Sequence, residues 1–172
     1  MKHIKPIEKD GKIVAAKMIV YAGDPEEYFT FITLEAYRAL TSWMKFRNDS
    51  GEVITPNSWV MRDLWDTKKG CIQHFITIPK KLKATGIKRL VEDALWTQGL
   101  RTKLPEGKRR HEFQANHGFR KAFKTTCETA GVKSIVTETL MGHSTGISDS
   151  YYRPTEKDLL EELAWIVVGS TC

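Results

Sequence analysis

The chain has 172 residues, 41% apolar and 28% charged, an ordinary globular composition that excludes a wholly disordered chain. At this length folding buries about two thirds of the unfolded surface, so a core needs no disulfide staple or structural metal. The 27 basic and 21 acidic residues leave a net charge of +6, which favours a polyanionic partner, and no apolar run approaches the roughly 20 residues that span a bilayer.

The start, Met1-Lys2-His3-Ile4-Lys5-Pro6, lacks the apolar centre of a signal peptide. Residues 12–22 and 27–33 are rich in β-branched and apolar types around the turn signal Gly23-Asp24-Pro25-Glu26, which predicts a β-hairpin. Thr33 is placed to cap a helix over 34–48, with Glu35 in its first turn and Ala36, Tyr37, Leu40, Trp43 and Met44 at helical spacing. Asn48-Asp49-Ser50-Gly51 ends it. A short helix is expected from Ser58 to Trp65 and a strand over 71–78.

Gly86 precedes a helix in which Ile87, Leu90, Val91, Ala94 and Leu95 mark one buried stripe. Residues 100–116 are polar and basic. The next helix, over 117–130, is expected to bury Phe119, Ala122, Phe123 and Cys127 and to stop at Gly131. A shorter helix over 134–141 and the turn-rich segment 142–154 follow. Thr155 and Asp158 form a variant capping box before a last helix bearing Leu159, Leu160, Leu163, Ile166 and Val167. Together these elements predict a mostly helical α+β fold with a small antiparallel sheet, as one domain over 1–172. The cysteines Cys71, Cys127 and Cys172 are scattered and odd in number, as expected of reduced thiols in a cytoplasmic protein.

Several polar residues of the C-terminal third have phosphate-friendly chemistry. His117 and Arg120 lie three apart on one helix face, His143 follows Gly142, and Tyr151 and Tyr152 come eight and nine residues after His143. Spacing alone does not bring them together. His111, His117, Cys127 and His143 match no standard zinc spacing, so no metal is expected.

The ordered set His117-Gly118-Phe119-Arg120, Leu140-Met141-Gly142-His143 and Tyr152 resembles the tyrosine recombinase family of phage integrases and their chromosomal relatives, most in the style of archaeal members. The tight resemblance covers about 111–154. It implies site-specific DNA recombination or integration by strand cleavage and rejoining. Tyr152 would attack phosphorus and form a 3′-phosphotyrosine, releasing a 5′-hydroxyl. Arg120 would clamp the non-bridging oxygens, because a guanidinium is always ionised and offers a planar fork. His117 and His143 would donate to those oxygens or move the tyrosine proton. The linkage stores the bond energy, so the resemblance implies no cofactor.

The family also uses a first arginine ahead of the hairpin and a lysine in or beside its turn. Arg38 is the first arginine here and lies after the hairpin, and the turn has no lysine, so Lys17 in the first strand is the nearest candidate. The expectation is an N-terminally truncated catalytic domain without the family's core-binding domain. Lys108, Arg109 and Arg110, with Lys121 and Arg153, are expected to meet double-stranded DNA. The last helix is a place where copies of the chain could associate on DNA. Other readings are a catalytically silent DNA-binding module and a metal-dependent nuclease.

Overall fold

The computed structural model describes residues 2–63, 79–102, 104–109, 111, 115–144 and 152–169. Its class is α+β: among the described residues, a three-stranded antiparallel sheet and five helices. The strands are β1 (Ile4–Lys9), β2 (Lys12–Val20) and β3 (Tyr28–Thr33), in the order β1-β2-β3. The helices are α1 (Leu34–Asp49), α2 (Ala84–Thr97), α3 (Ala115–Thr129), α4 (Ser134–Leu140) and α5 (Glu156–Gly169). The chain divides into two compact units, Met1–Val60 with Lys124–Cys172, and Met61–Phe123.

In the first unit, β2 and β3 form the expected hairpin, with Lys17 opposite Phe31. Strand β1 was not expected. Its signal is Asp10-Gly11, whose φ values of 52° and 71° form a two-residue turn between the paired Lys9 and Lys12. Pro6 obscures it, yet proline is tolerated on an edge strand, where one side of the backbone has no ladder to join. Helix α1 starts as predicted: the Thr33 hydroxyl accepts from the Ala36 amide at 3.2 Å. Buried apolar groups come from each layer: Ala15 and Ala16 on β2, Phe31 on β3, Met44 on α1, Val136 and Leu140 on α4, and Leu159 and Leu163 on α5.

The deepest polar feature is Arg47, wholly buried near the end of α1. Its Nε donates to Glu52 Oε2 at 3.0 Å and Nη2 donates to Oε1 at 2.5 Å, a bidentate pair. Nη1 donates to the carbonyls of Trp59 and Val60 at 2.8 and 3.1 Å. Trp43 Nε1 also donates to the Val60 carbonyl, at 3.2 Å. This corrects the helix expected from Ser58 to Trp65: residues 58–63 are irregular. The Trp59 and Val60 carbonyls serve side chains of α1 rather than a helical ladder.

In the second unit Arg62 and Lys81 form a short antiparallel bridge, and the Asp63 amide donates to the Lys80 carbonyl at 3.0 Å. Helix α2 begins before Gly86, and its apolar stripe is not buried: none of its residues is buried, and Ile87 is exposed. On α3, Phe119 is 63% exposed and Ala122 is exposed, against expectation, while Phe123 is half-buried. The expected strand over 71–78, Trp65, Cys71, Cys172 and the side chains of Ile166 and Val167 lie outside the described residues. Among the described residues no helix is long and apolar enough to cross a membrane.

Removing one member of a fully buried ion pair strands the other charge, at a cost of about 3–5 kcal/mol. Glu52→Ala should lower the urea stability of the chain by about that amount. The double variant Arg47→Met with Glu52→Leu should lose less. A single variant within about 0.5 kcal/mol of the parent, as for an ordinary surface change, would mean the pair does not hold the end of α1.

Candidate functional site

Helices α3 and α4 both end on a glycine in the left-handed region, Gly131 at φ 75° and Gly142 at φ 71°. At the second of these, the Gly142 amide donates to the Thr139 carbonyl and the His143 amide to the Glu138 carbonyl, both at 3.0 Å. That pair of bonds satisfies two carbonyls the helix would leave open. It also dictates which residues meet: His143, the second residue past the cap Met141, returns over Glu138, five earlier.

Position 142 is constrained twice. Its φ favours glycine, and a Cβ there would collide with the ring of Tyr28 on β3. Gly142-His143 is thus seated against the sheet. His143 Nδ1 lies 2.5 Å from Glu138 Oε2, and Lys124 Nζ donates to Glu138 Oε1 at 2.7 Å. One carboxylate therefore binds a cation from α3 and the imidazole after α4. Lys124, first, and His143, second, hold the Glu138 carboxyl below its usual range, and Glu138 pushes the Lys124 ammonium up.

Lys17 lies on β2 and is half-buried, not fully solvent-facing. Its Nζ sits 4.3 Å from the centre of the Phe29 ring and 2.5 Å from Glu156 Oε2, 139 residues away in sequence. Glu156 opens α5, whose start is capped as predicted. The Thr155 amide donates to Asp158 Oδ2 at 2.9 Å, and the Thr155 hydroxyl accepts from the Asp158 amide at 3.2 Å. The Thr155 amide, first, and the Thr155 hydroxyl, which donates to the same Oδ2 at 2.8 Å, hold the Asp158 carboxyl below its usual range.

Tyr152 is 47% exposed. It lines a cleft of about 180 Å³ with Lys133, Val136, Asp158, Glu161 and Glu162. Arg153 is exposed and Pro154 is buried. The β2–β3 turn is closed by acids: the Gly23 amide donates to Glu27 Oε2 at 2.7 Å and the Glu26 amide to Asp24 Oδ1 at 2.9 Å.

The first unit thus holds Lys17, His143, Tyr152 and Arg153. His117, Arg120 and Lys121 lie in the second unit, exposed on the first turns of α3 and on one helical face. Lys108 and Arg109 are exposed on the preceding loop. Arg110, Tyr151 and the small polar stretch over 145–150 lie outside the described residues. Cys127 is fully buried, and burial pushes its thiol up, which opposes the thiolate a zinc site needs. Among the described residues no group of three His, Cys, Asp or Glu side chains could hold a metal ion.

Sequence reasoning missed Glu138, Lys124 and Tyr28. A signal for Glu138 was present: a glycine just past a helix predicts the return bond that joins positions 138 and 143. Comparisons with protein-family models, with characterised proteins and with solved structures find no match.

Glu138 also sets a pH dependence. A carboxyl held low when folded contributes stability above its ordinary value and loses it as the pH falls through the depressed one. Melting temperature should therefore fall with acidification below about pH 4. Glu138→Gln should flatten part of that fall, with Asp158 supplying a further part of the same sign. Superimposable melting curves for variant and parent from about pH 6 to about pH 3 would contradict the coupling.

Proposed function

We propose that the chain is a DNA strand-cleaving and rejoining domain similar to tyrosine recombinase catalytic domains, acting on double-stranded DNA. The observation that carries this reading is the convergence of motif-bearing segments on β2 and β3. Gly142-His143 is seated on Tyr28 of β3. Lys17 of β2 is ion-paired to Glu156, four residues after Tyr152. Two of the three motif segments, Gly142-His143 and the one bearing Tyr152, thereby share one unit with Lys17, while His117 and Arg120 belong to the other.

In this reading the Tyr152 oxygen attacks phosphorus as its proton passes to an imidazole. The bond to the 5′ oxygen breaks, and that oxygen takes a proton and leaves as a 5′-hydroxyl, with Lys17, the β2 lysine nearest the hairpin turn, as the candidate acid. A 5′-hydroxyl from a second end reverses the step, so no bond energy is lost. The pentacoordinate phosphorus carries extra negative charge, and Arg120 is the guanidinium that the motif assigns to it. The exposed cations Lys108, Arg109, Lys121 and Arg153 suit sequence-independent contact with the phosphate backbone.

One observation favours a second reading, a DNA-binding module that forms no covalent bond. The cleft beside Tyr152 carries Asp158, Glu161 and Glu162 against the single cation Lys133, which repels a phosphodiester.

The two readings part on a nicked duplex that traps the covalent intermediate. On the first, the parent chain forms an adduct, slowed by about a hundred- to a thousandfold for want of an arginine before Arg38, Tyr152→Phe forms none, and Tyr151→Phe keeps it. Arg120→Ala should slow the adduct by about a hundred- to a thousandfold, and Arg120→Lys should not restore it, since a point charge cannot replace the fork. An adduct that survives Tyr152→Phe removes the proposed nucleophile. Salt-sensitive binding with no adduct at all supports the second reading.

A further inference from the structure

We propose that Glu138 is the positioning residue for His143, holding its imidazole with the proton on Nδ1 so that Nε2 is the nitrogen turned to chemistry. The meaning of that alignment for catalysis rests on the recombinase reading, whereas the pairing is a property of the first unit alone.

Glu138 meets His143 at two points. Its carbonyl accepts the His143 amide at 3.0 Å and its Oε2 lies 2.5 Å from Nδ1. The first contact fixes the backbone of His143, and the second limits rotation of the ring. An ionised carboxylate only accepts hydrogen bonds, so the proton between these atoms belongs to Nδ1. A neutral imidazole so held carries its lone pair on Nε2 and can take a proton there. After it does, Nε2–H is a donor, and the Nδ1 proton has not moved.

Two features keep the carboxylate ionised and in place. Lys124 Nζ donates to its other oxygen at 2.7 Å, so both oxygens have partners. Lys124 lies on α3 just before Cys127, whose side chain is fully buried, so its backbone is anchored in the core. Gly142 supplies the turn that brings positions 138 and 143 together, and Tyr28 bars any larger residue from that place. A carboxylate behind an imidazole is a general device for choosing the tautomer and stabilising the imidazolium. Glu138 acts through His143 and is therefore a positioning residue.

The test is the tautomer of His143, read from the ring nitrogen chemical shifts of the nitrogen-15-labelled full chain at a pH where the imidazole is neutral. The parent should hold the proton mostly on Nδ1. Glu138→Ala should move it mostly to Nε2, the form an unrestrained histidine side chain prefers. Glu138→Gln, which keeps the shape and the backbone bond, should give a mixture. Lys124→Met should leave the Nδ1 proton in place, because the carboxylate remains. A parent protonated on Nε2, or a Glu138→Ala spectrum with unchanged ring shifts, would overturn the proposal. Adduct formation is measured on the same samples. No adduct from the parent, alongside the expected tautomer change, would sink the recombinase reading and leave the pairing standing.

Discussion

The ring of Tyr28 on β3 lies where any side chain on residue 142 would have to go. That close approach seats the end of α4 on the sheet and requires glycine there, at a φ that glycine alone adopts without strain. The consequences run in order. The glycine turns the chain back, the turn brings His143 over Glu138, and the carboxylate reaches both the imidazole and Lys124. A Gly-His dipeptide that reads as a motif is thus a helix stop, a packing contact and a side-chain alignment at once.

Charge in the first unit is locally balanced around these residues. Lys17 is matched by Glu156, Lys124 by Glu138, and Lys133 shares a cleft with Asp158, Glu161 and Glu162. The β2–β3 turn is closed by carboxylates. In the second unit Lys108, Arg109, Arg120 and Lys121 are exposed. On the proposed DNA-binding reading, long-range fields act before contacts, so Lys108, Arg109 and Lys121 would govern first binding while the ion pairs of the first unit govern geometry. Lys17 is ion-paired to Glu156, so the acid role proposed for it would require Glu156 to give way or to share the ammonium.

Local signals in the sequence were read well where one residue decides the outcome. Thr33 caps α1, Thr155 and Asp158 cap α5, and Gly131 and Gly142 end α3 and α4. Strand β1 was missed because Pro6 and its lysines outweighed the Asp10-Gly11 turn. Periodicity misled where it was taken as proof of burial, since Ile87, Phe119 and Ala122 sit at helical spacing and are exposed. Arg47 could not be placed from the sequence, because its burial depends on Glu52 and on the Trp59 and Val60 carbonyls meeting it together. Of the candidate site, the residue types were legible. The carboxylates were less so: Glu156 meets Lys17 and Glu138 meets Lys124 only through tertiary contacts, and of these pairings only the local one of Glu138 with His143 has a signal, in Gly142.

The central claim is that Tyr152 becomes covalently joined to a DNA 3′-phosphate. Its most direct measurement is to trap the chain on a nicked duplex, denature it, digest both components and map the modified peptide by mass spectrometry. The account predicts a single nucleotide-bearing peptide with the phosphate on the Tyr152 oxygen. A modification on any other residue, Tyr151 included, or DNA-bound protein that carries no modified peptide, would contradict it.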